Sequence, residues 1–196
     1  MVKKITKNTI LELFINNYEK SYYLRELAVL IGKPHQSIKP YIEELASKHI
    51  LIEAKRKNIL EYSLNFKNKQ IINYLSVSEN ERLLEKLNKD VLLRTLFEKL
   101  SSDFKDNIFI VFGSSVKDAK KSSDIDLLVV GKSDINKKIK DFHDVYNKKI
   151  HKLQVDSLKE LDITLVREIY KKHIILNKNE DVLRFLGELY EKNKLV

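Results

Sequence analysis

Two apolar runs, the second headed by a pair of aspartates, constrain this chain more than any other feature. Residues 108–112 read Ile-Phe-Ile-Val-Phe, and residues 124–130 read Asp-Ile-Asp-Leu-Leu-Val-Val. Each is short, β-prone and free of Gly and Pro, the pattern of a buried strand. Gly113-Ser114 closes the first run, and a short polar stretch leads to the second. In a strand, residues i and i+2 point to one face. Asp124 and Asp126 therefore stand side by side, while Ile125 turns to the core. Two carboxylates that close repel each other, and an apolar strand is a poor home for them. A hard divalent cation resolves the conflict, because carboxylate oxygens suit Mg²⁺ and Mn²⁺. Glycine at the preceding strand end lets a phosphate approach the backbone, and amides at the start of a helix behind it attract an anion. Phosphate cradle and metal carboxylates facing one another are what metal-assisted phosphoryl or nucleotidyl transfer requires.

The surroundings of this pair extend the same architecture. Residues 135–149 are predicted helical, with Ile135, Ile139, Phe142 and Val145 or Tyr146 along one side. Ile150 to Val155 forms a third strand, Ser157 to Lys171 a helix, His173 to Leu176 a short apolar run, and Glu180 to Asn193 a last helix. Strands alternating with helices predict an α/β or α+β domain over residues 105–196. Residues 67–104 contain no Gly or Pro and read as a helical connector of two amphipathic segments, with a seam near Asn88-Lys89-Asp90. Its apolar stripe is expected to pack on its own chain. A homodimer surface is the alternative use.

The first third reads differently. Ile5, Ile10, Leu11 and Phe14 have helical spacing, Ser21 to Tyr23 is extended, and Leu24 to Ile31 is a short helix stopped by Gly32. A third helix runs from about Pro34 to Lys48, with Ile38, Ile42, Leu45 and Ala46 on one face. Pro40 predicts either a regular helix starting near Lys39 or a kink. Two β-prone runs, 50–54 and 59–64, flank the basic turn Lys55-Arg56-Lys57-Asn58 and read as a hairpin. The chain's net charge is +9, and only six of its 37 basic residues are Arg. A Lys-rich composition is consistent with simple drift. The excess is uneven, however: residues 1–70 hold 13 basic and 7 acidic residues, while the rest hold 24 and 21. That asymmetry is the one expected of a nucleic-acid-binding module beside a more balanced domain.

Two family resemblances follow from these residues. Residues 22–64 resemble a winged helix-turn-helix, read as a domain over 1–66. The resemblance implies that His35, Gln36, Ser37 and Lys39, at the start of the third helix, face bases or phosphates. It also implies that Lys55, Arg56 and Lys57 at the wing tip meet phosphates of duplex DNA. Protein contact is the alternative role for such a module. The stretch FGSSVKDAKKSSDIDLLVV resembles the minimal polymerase-beta-type nucleotidyltransferases. That resemblance implies that Gly113 and Ser114 hold the β- and γ-phosphates of a nucleoside triphosphate, with Ser123 and Lys117 beside them, and that Asp124 and Asp126 hold Mg²⁺ or Mn²⁺.

Active members also use a third carboxylate on a later strand. Here residues 150–155 hold no acid, and Asp156 follows directly, as either a third catalytic carboxylate or a helix N-cap. His151 is a candidate base or, more simply, a surface or packing residue. The fold expected is a multidomain α+β chain with winged helix, helical connector and mixed-sheet nucleotidyltransferase domain. Two functions fit it. One is a Mg²⁺-dependent transferase moving a nucleoside monophosphate to a hydroxyl acceptor. The other is a DNA-binding regulator or toxin–antitoxin component whose transferase domain is inactive or senses nucleotide. A protein acceptor or toxin partner is compatible with both. Absence of cysteine excludes disulfides, thiolate zinc sites and a cysteine nucleophile. No apolar run approaches the ~20 residues of a membrane span, and the N-terminus lacks a signal-like apolar segment, so a cytoplasmic location is expected.

Overall fold

The computed structural model describes residues 4–117 and 124–195. The chain divides into two compact units, Met1–Glu79 and Asn80–Val196.

In the first unit, α1 (Lys7–Leu11) is opened by Thr6, whose hydroxyl accepts the Thr9 N–H at 3.2 Å while the Thr9 hydroxyl accepts the Thr6 N–H. The helical spacing that includes Phe14 outlasts the helix: beyond Leu11 the chain continues through tight turns, with the Leu13 and Phe14 N–H groups donating to the Ile10 and Leu11 carbonyls. After β1 (Tyr22–Tyr23), α2 (Leu24–Ile31) ends at Gly32, whose φ of 70° lies where L side chains are disfavoured. Next, α3 (His35–Ser47) starts directly after Pro34 and runs through Pro40 without a later start. A hairpin of β2 (Leu51–Arg56) and β3 (Ile59–Leu64) follows, closed by the two residues Lys57-Asn58. Lys55 and Arg56 thus belong to the strand rather than to the turn. The sheet order is β1-β3-β2, all antiparallel. Ile10, Leu11, Phe14, Leu27, Ile38, Ile42, Leu45 and Ile50 are fully buried. Of β2 only Leu51 is buried, so the hairpin tip projects beyond this core.

The division between the units falls within the 19-residue α4 (Ile71–Lys89). In the second unit Asp90 breaks this helix and caps α5 (Val91–Leu100), accepting the Leu93 N–H at 3.1 Å. The chain then runs through β4 (Ile108–Phe112), a 3-10 turn Gly113–Val116, β5 (Asp124–Val130), α6 (Asn136–Tyr146) and β6 (Lys149–Val155). It finishes with α7 (Ile163–Lys171), β7 (His173–Ile175) and α8 (Asn179–Glu191). The helix predicted over 157–171 is split: a 3-10 turn covers Leu158–Glu160, and Asp162 caps α7 by accepting the Thr164 N–H at 2.8 Å.

The second sheet has the order β6-β5-β4-β7, with β5 and β6 parallel and the other pairs antiparallel. On one face Phe109, Val111, Ile125, Leu127, Val129, Ile150 and Ile174 join Leu83, Leu87, Leu93, Leu96, Leu100, Ile135 and Phe142 from α4, α5 and the segment around α6 in a single core. The alternate residues Ile110, Leu128, Val130 and Ile175 are also buried, as are Val166, Ile169, Val182, Leu183 and Leu186 of α7 and α8. With helix residues covering strands of mixed direction, the unit is α+β. No helix among the described residues is long and apolar enough to cross a membrane.

Candidate functional site

The alternation of β5 decides what its two aspartates face. Ile125, Leu127 and Val129 fill the core, so Asp124 and Asp126 take the other face and remain part-exposed, each side chain at 32%. Both sit where β5 begins. Antiparallel pairing sets Phe112 opposite Asp126, so the turn after β4 starts beside that carboxylate. At this turn Gly113 has φ 72°, and a Cβ there would lie 2.7 Å from the Asp126 Oδ2. Only glycine permits both the backbone conformation and the approach of the carboxylate. The turn is a single 3-10 turn rather than the start of an α-helix, and the Gly113 N–H donates to the Lys172 carbonyl at 3.3 Å. Ser115 steadies the turn by donating to the Phe112 carbonyl at 3.1 Å, and Ser114 is exposed.

The parallel neighbour brings the candidate base His151 to the pair. Register sets His151 of β6 opposite Asp126 and Lys149 opposite Asp124. The half-exposed His151 ring reaches both acids: Nδ1 lies 3.6 Å from Asp126 Oδ1, and Nε2 lies 3.7 Å from Asp124 Oδ2. The ring is a surface residue that stands beside both carboxylates. No local signal in the sequence reveals this, because a helix separates the two strands and only their pairing aligns them.

Asp156 is not brought to the site. Val155 pairs with Val130 at the far end of β5, so Asp156 lies five residues beyond His151 along the strand direction. At ~3.3 Å per residue that is roughly 16 Å from the pair. Its carboxylate faces Lys132 at 3.4 Å, and its N–H donates to Glu160 at 3.2 Å. The cap of the following 3-10 turn is Ser157, so the capping alternative for Asp156 is corrected as well. Lys117 is exposed at the end of the Gly113 turn, and Ser123 lies outside the described residues.

Two hard-oxygen donors suit the bound-metal chemistry in a particular way. Mg²⁺ is commonly held by one or two carboxylates with substrate phosphates and water completing the shell, rather than by an all-protein cage. Among the described residues no group of three His, Cys, Asp or Glu has metal-holding geometry. The pair fits the sparser arrangement.

In the first unit His35, Gln36, Ser37 and Lys39 are all exposed on the first turns of α3, while Ile38 is buried. Lys39 is paired with Glu43 at 3.5 Å. Lys55, Arg56 and Lys57 are exposed at the hairpin tip, with Arg56 3.5 Å from Glu61. The two sets lie on separate elements of this unit.

The second unit thus presents a four-stranded mixed sheet with a glycine turn and paired aspartates at one end. Residues 93–182 match the family model for the nucleotidyltransferase domain, of the polymerase-beta type. This match supports nucleotidyl transfer as the general function of that stretch, with a nucleoside triphosphate as substrate. No curated protein and no solved structure matches the chain.

Proposed function

We propose that the chain is a divalent-metal-dependent nucleotidyltransferase whose first unit is a winged helix-turn-helix that binds duplex DNA. The observation that carries the transferase half is the close approach of Asp126 to Gly113. A metal-ligating carboxylate and a side-chain-free backbone turn are held against each other, so a triphosphate lying on Gly113 and Ser114 is within reach of both aspartates. Asp124 and Asp126 would hold Mg²⁺ or Mn²⁺, which neutralises triphosphate charge and polarises the α-phosphate when bound. Lys117, exposed at the end of the turn, would flank the phosphates. An acceptor hydroxyl attacks the α-phosphorus, the bond from that phosphorus to the β-bridging oxygen breaks, and pyrophosphate leaves. His151, in place of a third carboxylate, takes the hydroxyl proton.

Calorimetric titration of Mg²⁺-ATP and Mg²⁺-GTP tests the site. Asp124→Asn/Asp126→Asn is expected to abolish binding to both, and equal binding by wild type and variant would sink the assignment. His151→Ala is expected to keep triphosphate binding while losing transfer of radiolabel to a macromolecule in cell extract. A protein that binds triphosphate but labels nothing supports the second reading, a DNA-binding regulator that senses nucleotide. The observation in its favour is the lack of any acid in β6 beside Asp126.

A further inference from the structure

A lysine-lined cleft of about 870 Å³ opens in the second unit between the end of α4, the start of α5, Lys117 and the α6–β6 corner. It lies at the sheet end where β5 and β6 begin, on the side of the helices α4 to α6. Its lining holds Lys86, Lys89, Lys117 and Lys148 against a single acid, Asp90. That acid accepts the Leu93 N–H and so is turned into α5. The Lys86 ammonium donates to the Val116 and Lys117 carbonyls at 2.7 and 2.9 Å, fixing the cleft floor to the Gly113 turn. Lys89 is 74% exposed and pairs with Glu85 only at 3.4 Å. Asn147, at φ 47°, turns the chain sharply between α6 and β6 and sets Tyr146 and Lys148 on the rim. The Tyr146 ring rests on the buried Phe142 at 4.9 Å and is 40% exposed.

Cations on three segments around an anchored, open aromatic ring fit a ligand that carries both phosphates and flat bases. A small inorganic anion would leave the ring and the exposed Val91 wall without a function. A volume near the upper end of the ~300–1,000 Å³ typical of small-molecule sites exceeds the need of one compact anion. We propose that this cleft binds a short stretch of a single nucleic-acid strand, phosphates on Lys89 and Lys148 and a base on Tyr146. The binding is independent of the transferase reading, because the cleft lies on the helix side of the sheet and the paired aspartates lie on the other face.

Strand binding is measured by fluorescence anisotropy with a labelled single-stranded DNA of about a dozen nucleotides, a length that spans one such site. The full chain carries Lys55→Ala/Arg56→Ala/Lys57→Ala, so that the hairpin of the first unit does not contribute. In this background Tyr146→Ala is expected to weaken binding about tenfold, as removal of one stacked base does, while Tyr146→Phe retains it. Lys89→Ala/Lys148→Ala is expected to flatten the log–log salt slope by about one to two. Unchanged affinity and slope in these variants overturn the proposal, as does competition by free AMP as strong as that by unlabelled strand. Asp124→Asn/Asp126→Asn is expected to bind the strand normally. Strand binding without any label transfer would fell the transferase reading alone, and label transfer without strand binding would fell the cleft alone.

Discussion

At the scale of single residues, Gly113 carries the sharpest demand. An added Cβ meets the Asp126 oxygen at 2.7 Å, and φ 72° is strained for any L residue. Gly113→Ala is expected to cost about 1–2 kcal/mol from the backbone alone and also to displace Asp126. Urea denaturation measures the first effect, and a fall in Mg²⁺-ATP affinity measures the second. Glu44 provides a pH-dependent case. Hydrogen bonds from Lys48 at 2.6 Å and Lys7 at 2.8 Å lower its pKa from 4.5 to about 2. A carboxylate whose folded pKa is depressed stabilises the fold above its unfolded pKa and ceases to do so as pH falls through the folded one. The difference in Tm between wild type and Glu44→Gln should therefore be full above about pH 4.5 and vanish near pH 2. Asp124 and Asp126 were legible because strand alternation is a local property. His151 was legible as a candidate base, but its alignment with the pair was not, because that depends on the pairing of β5 with β6 across an intervening helix. Asp156 looked equivalent in sequence only because nearness along the chain hides which end of a strand a residue occupies.

At the scale of elements, α3 shows a local rule yielding to burial. Proline in a helix interior costs about 3 kcal/mol, which favoured a late start or a kink. The late start does not occur: the helix begins at His35, which keeps Ile38, Ile42 and Leu45 on one fully buried stripe. Burying side chains of this size contributes about 1.5–3 kcal/mol each, enough together to outweigh the proline. Because Pro40 is exposed, Pro40→Ala is expected to raise thermal stability without repacking the core, as scanning calorimetry would register. The hairpin was legible from its two β-prone runs, but its turn was read as four residues where register leaves two. The single helix expected over 157–171 failed for a related reason. Helical spacing of apolar residues is preserved across the break, while Asp162 supplies a new cap that the spacing does not register. If the hairpin meets duplex DNA, Lys55→Ala/Arg56→Ala/Lys57→Ala should flatten the log–log salt slope of binding by about 0.9 for every phosphate that these side chains neutralise.

At the scale of the whole molecule, the two units keep separate interiors. Among the described residues, the core around the second sheet contains none before Leu83, and the core residues of the first sheet's unit end with α4's opening turns. Each interior should answer to its own substitutions. Phe109→Ala, a destabilisation of about 3–5 kcal/mol, is expected to raise amide exchange across β4, β5 and α6 while leaving α3 protected. Ile42→Ala should do the reverse, and hydrogen-exchange mass spectrometry reads both. The shift from helix-rich to strand-alternating pattern near residue 105 was legible. The division within α4 was not, because one continuous amphipathic helix serves both interiors and its sequence carries no Gly or Pro to mark the change.

Lys57 at the hairpin tip has a consequence that reaches past its charge. It holds φ 57° in a two-residue turn, a conformation that glycine adopts freely and lysine does not. Lys57→Gly should therefore relieve the strained φ and raise the Tm of the hairpin's unit while removing one cation from its tip. Thermal robustness and positive charge at the hairpin tip are in opposition at this one position, and the natural residue keeps the charge.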